Sequence, residues 1–275
     1  MPPTTKPPSG PDWALSPAEW GARVDYPSWR DPWVPKDKVI VHYGGGTPGP
    51  YTREGAIVRV RSYETYHMSP SRPGGPMRGL AYGWWVGQDG TVGVARGWNI
   101  SGAQWSTDDL EDDGRPENDE GIAVLWVIGG EQAPTPQLLS GFERLRGYLE
   151  AVMGTGLPLY GHREVEPAIH PTACPGEPAM AYVRTHRASG QGPYPIRPVK
   201  WPALLRIGDQ TRAVRALRGL LDTVGFRGPV GGTLFDQDLA SRVLAFQSHA
   251  GLAADGVVGP ATRAALAQAV GQALN

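Results

Sequence analysis

Apolar positions in this chain fall into two kinds of pattern, compact runs and spaced stripes, and each predicts a different element. Residues 38–43, KVIVHY, form a short run rich in Val and Ile with a Gly-rich stop behind it, which predicts a buried strand. Residues 82–98, YGWWVGQDGTVGVARGW, set a Gln-Asp-Gly turn between two apolar runs and predict a hairpin. GIAVLWVIGG, residues 121–130, predicts a further buried strand. From Thr135 the spacing changes to three and four: Leu138, Phe142, Leu145 and Leu149 predict a helix, with Thr135 as N-cap and Pro136 at the first helical position. GLPLYGHR then predicts a strand ending at Tyr160. Strands separated by helices predict the α/β class, a mixed β-sheet covered by helices.

Beyond residue 200 the pattern is purely helical. Asp209 is the expected cap of a helix carrying Val214, Leu217, Leu221 and Val224, Asp236 that of one carrying Leu239, Val243 and Phe246, and Pro260 opens a third with Leu266 and Val270. Composition shifts at the same place: nine of the ten Trp lie at or before Trp126, and from Trp201 onward there are 7 Arg and 5 Asp but no Lys or Glu. The stretch between, ASGQGPYPIRPVKWP, cannot hold a helix and reads as a semi-rigid linker. The expected organisation is a flexible N-terminus over 1–12, a mixed domain over 13–187, a Pro/Gly-rich linker over 188–202 and a small three-helix domain over 203–275.

Composition tests this picture. The 38 Gly and 28 Pro make 66 of 275 residues, or 24%, near the range where disorder becomes the default. Ten Trp, ten Tyr and four Phe overturn that default, because so aromatic a chain can bury enough surface to offset the entropy of folding. A net charge of 26 − 27 = −1 gives no reason to expect nucleic acid as a partner. No run of 18 apolar residues predicts membrane insertion, and MPPTTKPPSGPDW lacks the apolar core of a secretory signal. The single cysteine, Cys174, excludes an internal disulfide. The expectation is a soluble chain made in a reducing compartment, and a monomer.

The residue types that could carry chemistry are His42, at the end of a predicted strand, His162, after another, and Cys174 in TACPG. Two imidazoles and a thiolate with one open position form a typical catalytic zinc site. Spacing alone leaves a second reading open, with Cys174 a small buried hydrophobe and the histidines core hydrogen-bonders. Residues 108–120 hold 8 acids against one Arg without the spacing of a calcium loop, and read as a solvated loop.

In order along the chain stand Trp20-Gly21-Ala22-Arg23, VIVHY, His67-Met68, AYGWWVGQDGTVGVARGWNISGAQ, GHREV and TACPG. From about Trp20 to about Tyr182 this resembles the N-acetylmuramoyl-L-alanine amidases of the type 2 amidase and peptidoglycan-recognition family, which includes many phage endolysins. FQSHAGLAADGVVGPATRAAL, with Leu205 to Gly208, resembles the peptidoglycan-binding type 1 module. The resemblance implies a zinc hydrolase of the peptidoglycan-recognition-like amidase fold. It would cut the amide between N-acetylmuramic acid and L-alanine in bacterial peptidoglycan. His42, His162 and Cys174 match the zinc ligands. Tyr82 matches a tyrosine beside the metal, and Thr172 a Lys or Thr position near the developing oxyanion. With no signal peptide, the resemblance implies an endolysin made in the host cytoplasm that reaches the wall after holin-dependent release.

The departures from the pattern matter as well. His162 and Cys174 are twelve residues apart, more than is usual, and the extra segment contains His170. That residue is expected at the surface or beside the site, with replacement of His162 as ligand the other possibility. Tyr43 and Gln104 stand where many relatives carry His. His67, Trp98, Gln104 and His170 are the candidate substrate-binding residues, with His67 equally placed to pack on Tyr66. Two rivals remain on sequence alone: a non-catalytic peptidoglycan receptor on the same fold, and a wall peptidase with Cys174 as nucleophile and His162 as base.

Overall fold

A computed structural model of the protein describes residues 2–8, 10–72, 75–103, 117–165, 172–188, 191–192, 194, 201–228 and 233–273. The chain divides into two compact units, one built on a sheet and the other on three helices. The acidic segment 108–116, Gln104, His170 and most of the expected linker lie outside the described residues.

The predicted strands form one five-stranded sheet. They are β1 (Lys38–Tyr43), β2 (Trp84–Val86), β3 (Val92–Val94), β4 (Gly121–Trp126) and β5 (Leu159–Gly161), in the order β3-β2-β4-β1-β5. β1 runs parallel to both β4 and β5, β2 is parallel to β4, and only the β2–β3 hairpin is antiparallel. Gly90 turns that hairpin at φ 86°, where a Cβ would also sit 2.8 Å from the Gln137 carbonyl oxygen. β5 ends at Gly161, one residue later than expected, and His162 begins a 3-10 turn that runs to Glu164.

The period-2 alternation of the strands sorts their side chains onto two helical layers. Val39, Val41, Trp84, Val86, Val124 and Trp126 pack with Leu138, Phe142, Leu145 and Leu149 of α3 (Pro136–Met153). Thr135 caps α3, its Oγ1 accepting from the Leu138 N–H at 3.0 Å. Trp85, Leu125 and Val127 face the other way, toward Ala56 and Val60 of α1 (Arg53–His67). A short α2 (Glu117–Glu120) precedes β4, and α4 (Glu177–Thr185) follows the cysteine.

Two of these helices escape the sequence pattern for physical reasons. The inward stripe of α1 is Ala56, Val60 and Glu64, and a fully buried glutamate breaks the apolar signal. Its carboxylate is satisfied by the Tyr26 hydroxyl at 2.6 Å and the Arg23 N–H at 2.9 Å. At nine residues, α4 is too short to show a period.

The second unit packs α5 (Arg212–Thr223), α6 (Gln237–His249) and α7 (Pro260–Ala273) around Val214, Leu217, Leu221, Leu239, Val243, Phe246 and Leu266. Asp236 caps α6, its Oδ1 accepting from the Leu239 N–H at 2.9 Å. Asp209 does not cap α5: Thr211 holds the N-cap position, and Asp209 instead accepts from the Arg206 N–H at 2.8 Å. With the N-cap two residues further on, at Thr211, the Asp209 carboxylate lies too early in the chain to reach the free N–H groups of the first turn. Val224 is the C-cap of α5, just past the helix.

Candidate functional site

β1 and β5 are parallel neighbours, with Val41 opposite Gly161. Their carboxyl ends therefore deliver His42 and His162 to the same edge of the sheet, where open α/β sheets place their ligands. Alternation puts His42 on the face opposite Val39 and Val41, out of the α3 core. The two imidazole rings lie 4.5 Å apart between centroids. Cys174 arrives from the loop before α4, and the Tyr43 N–H donates to its Sγ at 3.3 Å. Gly176, two residues on, has φ 83°, and a Cβ there would fall 1.9 Å from the Gly130 carbonyl oxygen. The loop thus lies directly on the chain leaving β4, a closeness that only glycine permits.

His42, His162 and Cys174 each offer one donor atom, and the three atoms lie within 4.8 Å of one another. All three residues are buried, at 1%, 8% and 6% exposure. His42 Nδ1 and Cys174 Sγ are 3.8 Å apart. Tetrahedral coordination with ordinary Zn–N and Zn–S lengths puts such a pair roughly 3.6 Å apart, so the spacing suits a metal with little movement. His42 Nε2 is buried with no hydrogen-bond partner among the described residues.

The electrostatics favour neutral donors. Burial, then the neighbouring His162, holds the His42 imidazole well below its usual pKa. Burial pushes the Cys174 thiol up to about 12, offset in part by the Tyr43 N–H and Arg163. A dication would reverse the second effect, because a coordinating thiol is deprotonated outright. Two imidazoles and a soft sulfur are an appropriate donor set for zinc.

The other expected residues divide. Tyr82 stands beside His42, ring centroids 5.2 Å apart, and burial followed by the proximity of Cys174 keeps its hydroxyl protonated far above neutrality. Thr172 lies in the loop that carries Cys174: its Oγ1 accepts from the Cys174 N–H at 3.1 Å, and a hydroxyl that accepts can also donate. The His67 ring lies 5.7 Å from that of Tyr82 and 5.9 Å from that of Tyr66. Its Nδ1 accepts from the Ala81 N–H at 3.1 Å, which braces the backbone next to Tyr82.

Trp98, expected among the substrate-binding residues, is 2% exposed and packs edge-on against Trp84 and Trp33. Arg163, missed in the sequence, bridges the turn at His162 to the Cys174 loop. Its only signal there was adjacency to His162.

Residues 210–266 match the family described as "Putative peptidoglycan binding domain". The chain is 25% identical over 189 residues to peptidoglycan-recognition protein SC2 of Drosophila melanogaster, covering 62% of this chain and 84% of the relative. Among solved structures, Drosophila PGRP-LB superposes with a TM-score of 0.50 at 22% identity, over 63% of this chain and 93% of that one. The ectodomain complex of peptidoglycan recognition proteins LCa and LCx bound to tracheal cytotoxin gives 0.51 at 22% identity, over 63% and 95%. The first unit therefore has the fold of the peptidoglycan-recognition proteins, a mixed sheet covered by helices, and the second matches a peptidoglycan-binding module.

Proposed function

We propose that this chain, a peptidoglycan-recognition fold joined to a peptidoglycan-binding module, is a zinc-dependent N-acetylmuramoyl-L-alanine amidase that degrades bacterial cell walls. The observation that carries the reading is the convergence of the His42, His162 and Cys174 donor atoms within 4.8 Å, with Tyr82 against His42. A receptor that only binds has no need to keep three metal donors together.

His42, His162 and Cys174 would hold the ion. When bound, zinc supplies a Lewis acid that polarises a carbonyl and lowers the pKa of water to about 7. The chain's own residues do the rest. Tyr82, protonated at every physiological pH, donates a hydrogen bond where negative charge grows on the scissile carbonyl oxygen. Thr172, with its oxygen already accepting from the Cys174 N–H, has its O–H to offer to the same charge or to the substrate. The second unit keeps the first near its polymeric substrate, raising the effective concentration of scissile bonds without new contacts at the site. The cysteine-nucleophile alternative is disfavoured by burial that pushes the thiol up to about 12, since the thiolate is the reactive form.

We place the enzyme among the endolysins, made in a host cytoplasm and acting on the wall after release. Mass spectrometry of digested peptidoglycan tests the activity. Free lactyl groups on muramic acid paired with new L-alanine N-termini are expected. New reducing sugars, or no cleavage at all by zinc-loaded protein, would overturn the assignment.

A further inference from the structure

His162 and Cys174 lie on either side of residues 166–171, which fall outside the described residues, and one residue, Arg163, joins the two flanks directly. The Arg163 backbone N–H donates to the Cys174 carbonyl oxygen at 2.8 Å. Its Nη2 donates to the Ala173 carbonyl oxygen at 2.5 Å, and its Nη1 to Glu177 Oε2 at 2.9 Å. Three contacts from the neighbour of one donor thus land on the loop and helix start that carry another. The other side of that loop is held by the Tyr43 N–H on Sγ and by Thr172 Oγ1.

We propose that Arg163 is a positioning residue which clasps the Cys174 loop to the His162 turn and so fixes the third donor of the metal site. The proposal rests on the zinc reading above for its consequence, though not for its geometry. A planar guanidinium can hold the Ala173 carbonyl and the Glu177 carboxylate at once, because its donors are fixed in a fork; a lysine ammonium on a flexible stem cannot pre-organise both. The clasp joins the two flanks of the inserted segment, so that Cys174 is held beside the His162 turn. Partners that orient metal ligands from behind typically change metal affinity by about 10–100-fold.

The test uses the full chain, whose one cysteine makes the readout unambiguous. In metal-free protein, the rate of Cys174 alkylation by iodoacetamide reports how firmly the loop is held. Arg163→Ala is expected to raise that rate by about tenfold or more through local opening, with thermal unfolding showing that the domain still folds. Arg163→Lys is expected to raise it similarly. In cobalt(II)-loaded protein, Arg163→Ala should lose sulfur-to-cobalt charge-transfer absorption and weaken cobalt binding by about 10–100-fold. An unchanged alkylation rate in Arg163→Ala, or full protection in Arg163→Lys, would overturn the clasp. Faster alkylation with an unchanged cobalt spectrum and affinity would overturn its role toward the metal. If the wild type binds no cobalt, the zinc reading fails, while alkylation still decides the clasp. Should Arg163→Ala not fold, Glu177→Ala removes one arm of the clasp, together with the Glu177–Arg184 pair, and must still accelerate alkylation for the clasp to stand, with Arg184→Ala as the control that leaves the rate unchanged.

Discussion

His42 Nδ1 and Cys174 Sγ lie 3.8 Å apart although 132 residues separate them in the chain. Nothing local holds them together: one sits at the end of a central strand and the other in a loop before α4. A close approach built from such distant elements marks a site that the whole domain serves to assemble.

Removing any one of the three donors should therefore cost more than any outer partner does. His42→Ala, His162→Ala and Cys174→Ala are each expected to lower zinc affinity by more than the roughly 100-fold upper range for outer partners and to abolish wall lysis. Zinc content after dialysis, set beside turbidity loss of cell walls, checks this. A variant that keeps both zinc and lysis would remove its residue from the ligand set.

Tyr82 offers a donor without being a ligand. Tyr82→Phe should keep wild-type zinc content and lower kcat by about 10²–10³-fold, the usual cost of an oxyanion donor. Steady-state kinetics on solubilised wall fragments measures it, and a change confined to KM would assign Tyr82 to substrate binding instead.

His67 predicts a pH dependence of stability. Burial, followed by Arg72 and Arg96, lowers its pKa to about 4, whereas an unfolded histidine titrates near 6.5. As pH falls between those values the unfolded chain takes up a proton that the folded chain does not, so stability falls. The slope approaches about 1.4 kcal/mol per pH unit. Urea unfolding of metal-free protein at pH 6.5 and 5 should show this loss, and His67→Gln, which keeps an acceptor for the Ala81 N–H, should show about that much less. Equal slopes in the two proteins would mean that His67 is not the group responsible.

The second unit should be separable in function. Phe246 is 2% exposed in a small helical core, and Phe246→Ala is expected to cost about 3–5 kcal/mol there. Co-sedimentation with cell walls should be lost while cleavage of soluble fragments persists. Loss of both activities together would refute the division of labour.

Much of this molecule was legible from residue order. Compact apolar runs placed β1, the β2–β3 hairpin and β4, and stripes spaced by three and four placed α3 and the three helices of the second unit. Thr135 and Asp236 declared their caps because a short polar side chain just before a periodic stripe can accept from the free N–H groups of the first turn. His42, His162 and Cys174 could be nominated by residue type and by resemblance. Their order along the chain could not show that they meet.

That meeting is a tertiary fact. It follows from a strand order that sets β1 beside β5, a register that brings Val41 opposite Gly161, and a loop held by Arg163, Tyr43 and Thr172. The same level of structure placed Trp98 in the core, buried Glu64 on the inward face of α1 and moved the N-cap of α5 from Asp209 to Thr211. Sequence patterns record which face of an element is apolar, because burial acts on each residue locally. Which elements become neighbours depends on contacts between residues far apart in the chain, and those contacts decided the site.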